Sequence, residues 1–207
     1  MPTLRLQSVK DAQTGDVTMI RAFQNLSPKV AETAFIAETA VIIGDVEIGD
    51  QSSVWYNCVV RGDVNRIRIG ARSNVQDLSM LHVTHKKNAD DPGAPLIIGD
   101  DVTIGHSVTL HGCTLLNGCF IGMQAMVMDH AVVGEGALVG ARAMVTEGTV
   151  IAPHTLWIGA PAKYKRDLTP KEVAWLQKSA GNYVKYSLQY IIDAEERATA
   201  ARGVYTP

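Results

Sequence analysis

Three histidines set on a six-residue rhythm are the residues of this chain best suited to chemistry. His106 and His111 lie in residues 104–113, where an aliphatic residue recurs every six positions, and His82 follows Leu81 in an earlier copy of the same repeat. Neutral imidazoles are good ligands for zinc, and three of them leave a fourth position open for water. The expectation is a repeat scaffold that holds one metal ion between copies of itself. His130 and His154 read as ordinary solvated turn histidines.

The scaffold is legible from its period. Apolar residues recur every six positions at Val30, Ile36, Ile42, Ile48, Val54 and Val60, at Ile69, Val75 and Leu81, and at Ile98, Ile104 and Leu110. After one five-residue step come Leu115, Ile121, Val127, Val133, Val139, Val145 and Ile151. Small or β-branched residues such as Ala34, Cys58, Val108 and Ala137 follow four positions later, and Gly-Asp pairs supply turns. A helix repeats at 3.6 and a strand at 2, so this period belongs to neither. Hexads sustained over a hundred residues mark a β-solenoid, in which only stacked coils bury a continuous core. Three hexads make a triangular coil, so the predicted fold is an all-β solenoid with a C-terminal helix.

Residues 1–29 read as an irregular N-terminal cap, with a short strand at Leu4, Leu6 and Val9 and a turn at Thr14-Gly15-Asp16 before Val17 to Ile20. Residues 30–160 form the β-helix, and residues 161–207 hold the C-terminal helix and tail. Thr169-Pro170-Lys171-Glu172 is a capping box with Pro at the first helical position. Val173, Leu176, Ala180, Val184, Leu188 and Ile191 then supply the stripe that packs on the prism. Gly181-Asn182 is a candidate bend, and the tail from Arg197 reads as frayed.

Of 207 residues, three are cysteines, and the net charge is −2 with no basic run. That excludes an electrostatic footprint for nucleic acid or an anionic membrane. No signal peptide or apolar run of roughly 18 residues is present, so the expected location is cytoplasmic, with Cys58, Cys113 and Cys119 reduced.

Counting faces sharpens the metal reading. Val60 to Ile69 spans nine residues and Leu81 to Ile98 seventeen, so two excursions interrupt the hexads. If each is a corner loop, then Val60, Leu81 and Leu110 start strands on one face in successive coils. Arg61, His82 and His111 then form an outward column. Stacked strands lie about 4.8 Å apart, and two nitrogens on one tetrahedral zinc need roughly 3.3 Å. His82 and His111 therefore suit one metal, whereas His106 lies around a convex corner. Another chain's His106 must close the site, which predicts a homo-oligomer, and a prism meeting itself along its edges suggests a cyclic trimer.

Arg61-Gly62-Asp63, Asn74-Val75-Gln76-Asp77, His82 and residues 106–111 resemble the γ-class carbonic anhydrase family, from about Val30 to the C-terminal helix. Residues 80–86 and 179–186 look most like its bacterial branch of phenylacetate and carnitine operon proteins. Likeness to hexapeptide proteins makes the helix left-handed. The resemblance implies reversible hydration of CO2 to bicarbonate at a metal shared between subunits of a homotrimer. Zinc, or iron or cobalt, would be bound by His82 and His111 of one subunit and His106 of its neighbour. A bound water loses its proton near neutral pH and attacks CO2. Gln76 would hydrogen-bond that group or the substrate, Arg61 would pair with Asp63 across the interface and hold bicarbonate, and Asn74 and Asp77 would stand behind them. Val64 and His85 replace two glutamates of the family pattern, which leaves His85, and second Tyr183, as proton carriers. Three other readings stand beside it: a metal-dependent acyl-CoA thioesterase using the same metal-bound hydroxide, a hexapeptide acyltransferase, for which residues 159–163 are suggestive and which would use a histidine base without the metal triad, and a non-catalytic trimer with a structural metal.

Overall fold

Hexads with one aliphatic residue each form short strands because a single inward side chain suffices once another coil lies above and below it. The computed structural model describes residues 9–10, 17–88 and 90–203, and in it the coils stack into a parallel β-solenoid of about eight turns. The first face runs through Ile20, Ile42, Val60, Leu81, Leu110, Val127 and Val145 in register. The second runs through Val30, Ile48, Ile69, Ile98, Leu115, Val133 and Ile151. The third holds Ile36, Val54, Val75, Ile104, Ile121, Val139 and Trp157. From Ile42 to Ile151 every one of these is buried, and each such side chain contributes about 1.5–3 kcal/mol.

Both excursions leave from the corner between the first and second faces. Val41–Ile48 and Val59–Ile69 are long strands that turn this corner together, and their register shifts between Gly44 and Val46 to admit the extra residues. Gly44 has φ +78°, and a Cβ there would collide with the Gly62 carbonyl, so only glycine fits. The second excursion starts after His82 and rejoins at Leu96, closed at its base by an antiparallel bridge between Thr84 and Ala94. Asn65, on the first excursion, donates from Nδ2 to the carbonyls of Thr84 at 3.0 Å and Pro92 at 2.9 Å, tying the two together.

The structure revises the ends of the solenoid. Val17–Arg21 runs parallel to Val41–Ile48, so coiling starts inside the segment read as a cap, with Ile20 packed on the core. Val9–Lys10 pairs antiparallel with this strand, whereas Leu4, Leu6 and the Thr14-Gly15-Asp16 turn lie outside the described residues. At the other end Thr155–Ile158 pairs antiparallel with Lys163–Asp167, ahead of the helix. This exposed, lysine-bearing strand covers an edge that would otherwise template association.

The helix α1 (Pro170–Gly203) lies on the third face, against Phe35–Ile36, Ser53–Val54, Asn74–Val75 and Thr103–Ile104. Its buried stripe is Leu176, Ala180 and Ser187 with half-buried Tyr183 between them, whereas Leu188, expected to be inside, is 55% exposed. Steps of four drift around a 3.6-residue helix, and the alternation of four and three keeps to one side. Tyr183 and Tyr190 meet Trp55, and Tyr190 also meets Phe35. The helix runs unbroken through Gly181-Asn182 and beyond Arg197, where Arg197 Nε donates to the Asp193 carbonyl at 3.1 Å, so the tail is not frayed there. Among the described residues no helix is long and apolar enough to cross a membrane.

The capping box forms as expected. Thr169 N donates to Glu172 Oε2 at 2.8 Å, Glu172 N to Thr169 Oγ1 at 3.3 Å, and Arg166 grips Glu172 at 2.7 and 2.9 Å. Hydrogen bonds from Arg166 and Thr169 hold the Glu172 carboxyl well below its ordinary 4.5, at about 2. A depressed carboxylate stabilises the fold above the unfolded value and loses that contribution as pH falls through the folded one. Glu172→Gln should therefore lower the melting temperature at pH 7, and the deficit should shrink between pH 4.5 and 2. Melts followed by circular dichroism check this.

Candidate metal centre

Because Leu81 pairs with Leu110 and points inward, the next residue on each strand points outward, and His82 and His111 stand side by side. His82 Nδ1 and His111 Nε2 are 3.1 Å apart. The other nitrogen of each ring meets a carboxylate: His82 Nε2 lies 3.0 Å from Asp63 Oδ1, and His111 Nδ1 lies 2.5 Å from Asp129 Oδ1. His106 sits at the adjoining corner with Nδ1 2.9 Å from Asp77 Oδ2.

These partners decide where the protons sit. A carboxylate accepts, so each ring nitrogen facing one carries the proton, and the opposite nitrogen keeps its lone pair. For neutral rings, His82 Nδ1 and His111 Nε2 then face each other as two acceptors. Their 3.1 Å separation fits the roughly 3.3 Å expected for two nitrogens on one tetrahedral zinc. Among the described residues of one chain no group of three or more His, Cys, Asp or Glu is placed to hold a metal.

The electrostatics agree with a neutral His82 ring and with anionic Asp63 and Asp129. Burial pushes His82 below its ordinary 6.5 and Arg61 adds to this, together outweighing the Asp63 hydrogen bond. Burial raises Asp63, but hydrogen bonds from Arg61 and His82 more than offset it and leave the carboxyl below its ordinary value. Asp129 is lowered in the same way, its burial outweighed by hydrogen bonds from Thr84 and His111.

The remaining candidates fall into three groups. Arg61 pairs with Asp63 at 2.5 Å within the chain, as residues two apart on one strand share a side. Gln76 and Asn74, both buried, form their own relay: Gln76 Nε2 donates to Asn74 Oδ1 at 3.1 Å, and Asn74 Nδ2 to Thr103 Oγ1 at 3.0 Å. His85 and Val64 are exposed on the two excursions, and Tyr183 packs between Trp55 and Tyr186 on the third face. Sequence reasoning missed Asp129 and Thr84. An acid one coil beyond a candidate ligand was the available signal for Asp129.

The three cysteines are free and buried, and burial pushes their thiols up, Cys58 to about 11, so none competes as a ligand.

No protein-family model matches the sequence. A carbonic anhydrase of Geobacillus kaustophilus is 40% identical over 183 residues, 88% of this chain and 97% of that one. Gamma carbonic anhydrase 2, mitochondrial, of Arabidopsis thaliana is 44% identical over 167 residues, 81% of this chain and 59% of that one. The chain belongs to the γ-class carbonic anhydrase family. Its fold superposes on the crystal structure of a hexapeptide transferase family protein from Anaplasma phagocytophilum with a TM-score of 0.78, 44% identity, and coverage of 83% of this chain and 98% of that one. The parallel β-helix expected from the hexads is thus the architecture of this γ-class chain.

The depressed His82 predicts a pH effect in the metal-free protein. Its ring should titrate below 6.5 by NMR, and stability should fall as pH drops through that value, because the unfolded chain takes up the proton first. A ring titrating above 6.5 contradicts the assignment.

Proposed function

We propose that this chain reversibly hydrates CO2 to bicarbonate in the cytoplasm, using zinc, or alternatively iron(II) or cobalt(II), bound by His82 and His111 of one subunit and His106 of a neighbour in a homotrimer. The observation that carries this reading is the pair of imidazole nitrogens 3.1 Å apart, each ring oriented from behind by an aspartate. The names of the relatives point the same way. When bound, the metal acts as a Lewis acid that makes water nucleophilic near neutral pH.

The chain's own residues do the rest. Asp63, Asp129 and Asp77 each hold one N–H of a histidine and so turn the other nitrogen toward the shared site. Arg61 commits one guanidinium nitrogen to Asp63 and keeps its other donors for bicarbonate oxygens. Gln76, its amide nitrogen tied to Asn74, presents its free oxygen to a proton of the reacting water. Burial and the Asp77 charge push the Tyr183 phenol above 10, so Tyr183 holds its proton at neutral pH. That leaves exposed His85, three residues past His82, to pass the proton to solvent.

Stopped-flow CO2 hydration on zinc-loaded protein, and on iron-loaded protein kept anaerobic, tests this beside His106→Ala. Activity should depend on metal and fall by at least about 100-fold in the variant. Silence from a fully metallated trimer removes CO2 hydration as the main activity. A second reading rests on the transferase name carried by a solved structure at 44% identity. Binding of coenzyme A to the metal-free protein, with no stoichiometric metal in the purified chain, would favour an acyltransferase.

A further inference from the structure

Asp129 stands outside the motifs that point to the metal, yet it is the only carboxylate in contact with His111 among the described residues. It receives two hydrogen bonds from different parts of the fold. Its Oδ1 lies 2.5 Å from His111 Nδ1, and its Oδ2 accepts from Thr84 Oγ1 at 2.6 Å. Thr84 in turn is fixed by both bonds of its bridge to Ala94, at 3.0 and 3.1 Å, and by Asn65 on its carbonyl. Gly112, with φ +51°, makes room for this arrangement, since a Cβ there would press on Asp129 Oδ1 and on Ala94.

We propose that Asp129 is a positioning residue of the metal half-site, which with Thr84 fixes the His111 tautomer and couples the base of the 83–95 excursion to that ligand. The inference rests on the metal reading above. A free imidazole rotates and exchanges tautomers, and only one tautomer leaves Nε2 unprotonated toward His82. Asp129 accepts the Nδ1 proton and selects that form. Thr84 occupies the second carboxylate oxygen and stops the carboxylate from turning away. The ligand facing His82 is thus set partly by the base of the excursion, through Thr84.

Cobalt(II) is the probe, because its visible spectrum reports ligand geometry. Affinity is measured by competition with a chromophoric chelator on the wild type, Asp129→Ala, Asp129→Asn, Thr84→Val and His111→Ala, with melting temperatures alongside. Asp129→Ala should weaken cobalt by about 10–100-fold and change its spectrum. Thr84→Val should move both in the same direction by several-fold. Asp129→Asn should recover part of the loss, since an amide oxygen still accepts from Nδ1. If Asp129→Ala does not fold, the other two variants decide. A wild type that binds cobalt and loses it in His111→Ala, with unchanged affinity and spectrum in the Asp129 and Thr84 variants, overturns the positioning role and leaves the metal reading standing. A lowered melting temperature with an unmoved spectrum also overturns it. A wild type that binds no cobalt overturns both.

Discussion

Leu81 opposite Leu110 is the pairing on which the centre depends. Coils in a parallel solenoid are held about 4.8 Å apart by the ladder, a spacing that backbone chemistry sets and side chains cannot alter. Once two leucines in successive coils point inward in register, the residues that follow them are fixed outward and adjacent. The rings then need only lean together to bring their nitrogens to 3.1 Å. The same inward commitment builds the core, so the site costs the fold no buried polar group: among the described residues every buried side-chain nitrogen and oxygen has a partner.

Departures from the hexad do the tuning. The excursions at the corner of the first face bring Asp63 against His82 and Thr84 against Asp129. Asp63 reaches His82 from the first excursion, whereas Asp129 reaches His111 from a regular hexad and the second excursion adds Thr84 behind it. Gly44 and Gly112, at two close approaches, let the turns at this corner nest against their neighbours.

Periodicity made the core, the three faces and the His82–His111 column legible before any coordinates, because a six-residue repeat with counted breaks maps position to face without ambiguity. The capping box at Thr169 was equally readable, since its residues bond only to one another and to Arg166. What escaped depends on where separate elements meet. The buried stripe of the helix follows the prism face it lies on, so Ser187 goes inside and Leu188 outside against simple apolar counting. Val17–Arg21 carries too few hexads to show a period. Asp129 sits one position past the residue in register with His111, and its role comes from side-chain reach that no spacing rule encodes.

Most solenoids are stabilised by neighbours alone, so a terminal coil can open without disturbing a distant one. Here α1 starts beside the last coils, where Trp175 meets Phe120, and ends its aromatic contacts at Phe35 in one of the first. A brace spanning the stack turns a row of locally coupled units into a body that opens as a whole. Early coils cannot peel away without freeing the helix, and a freed helix uncovers the third face along its length. Fraying from one end is thereby made expensive, and the middle coils that carry the histidines stay covered by their neighbours.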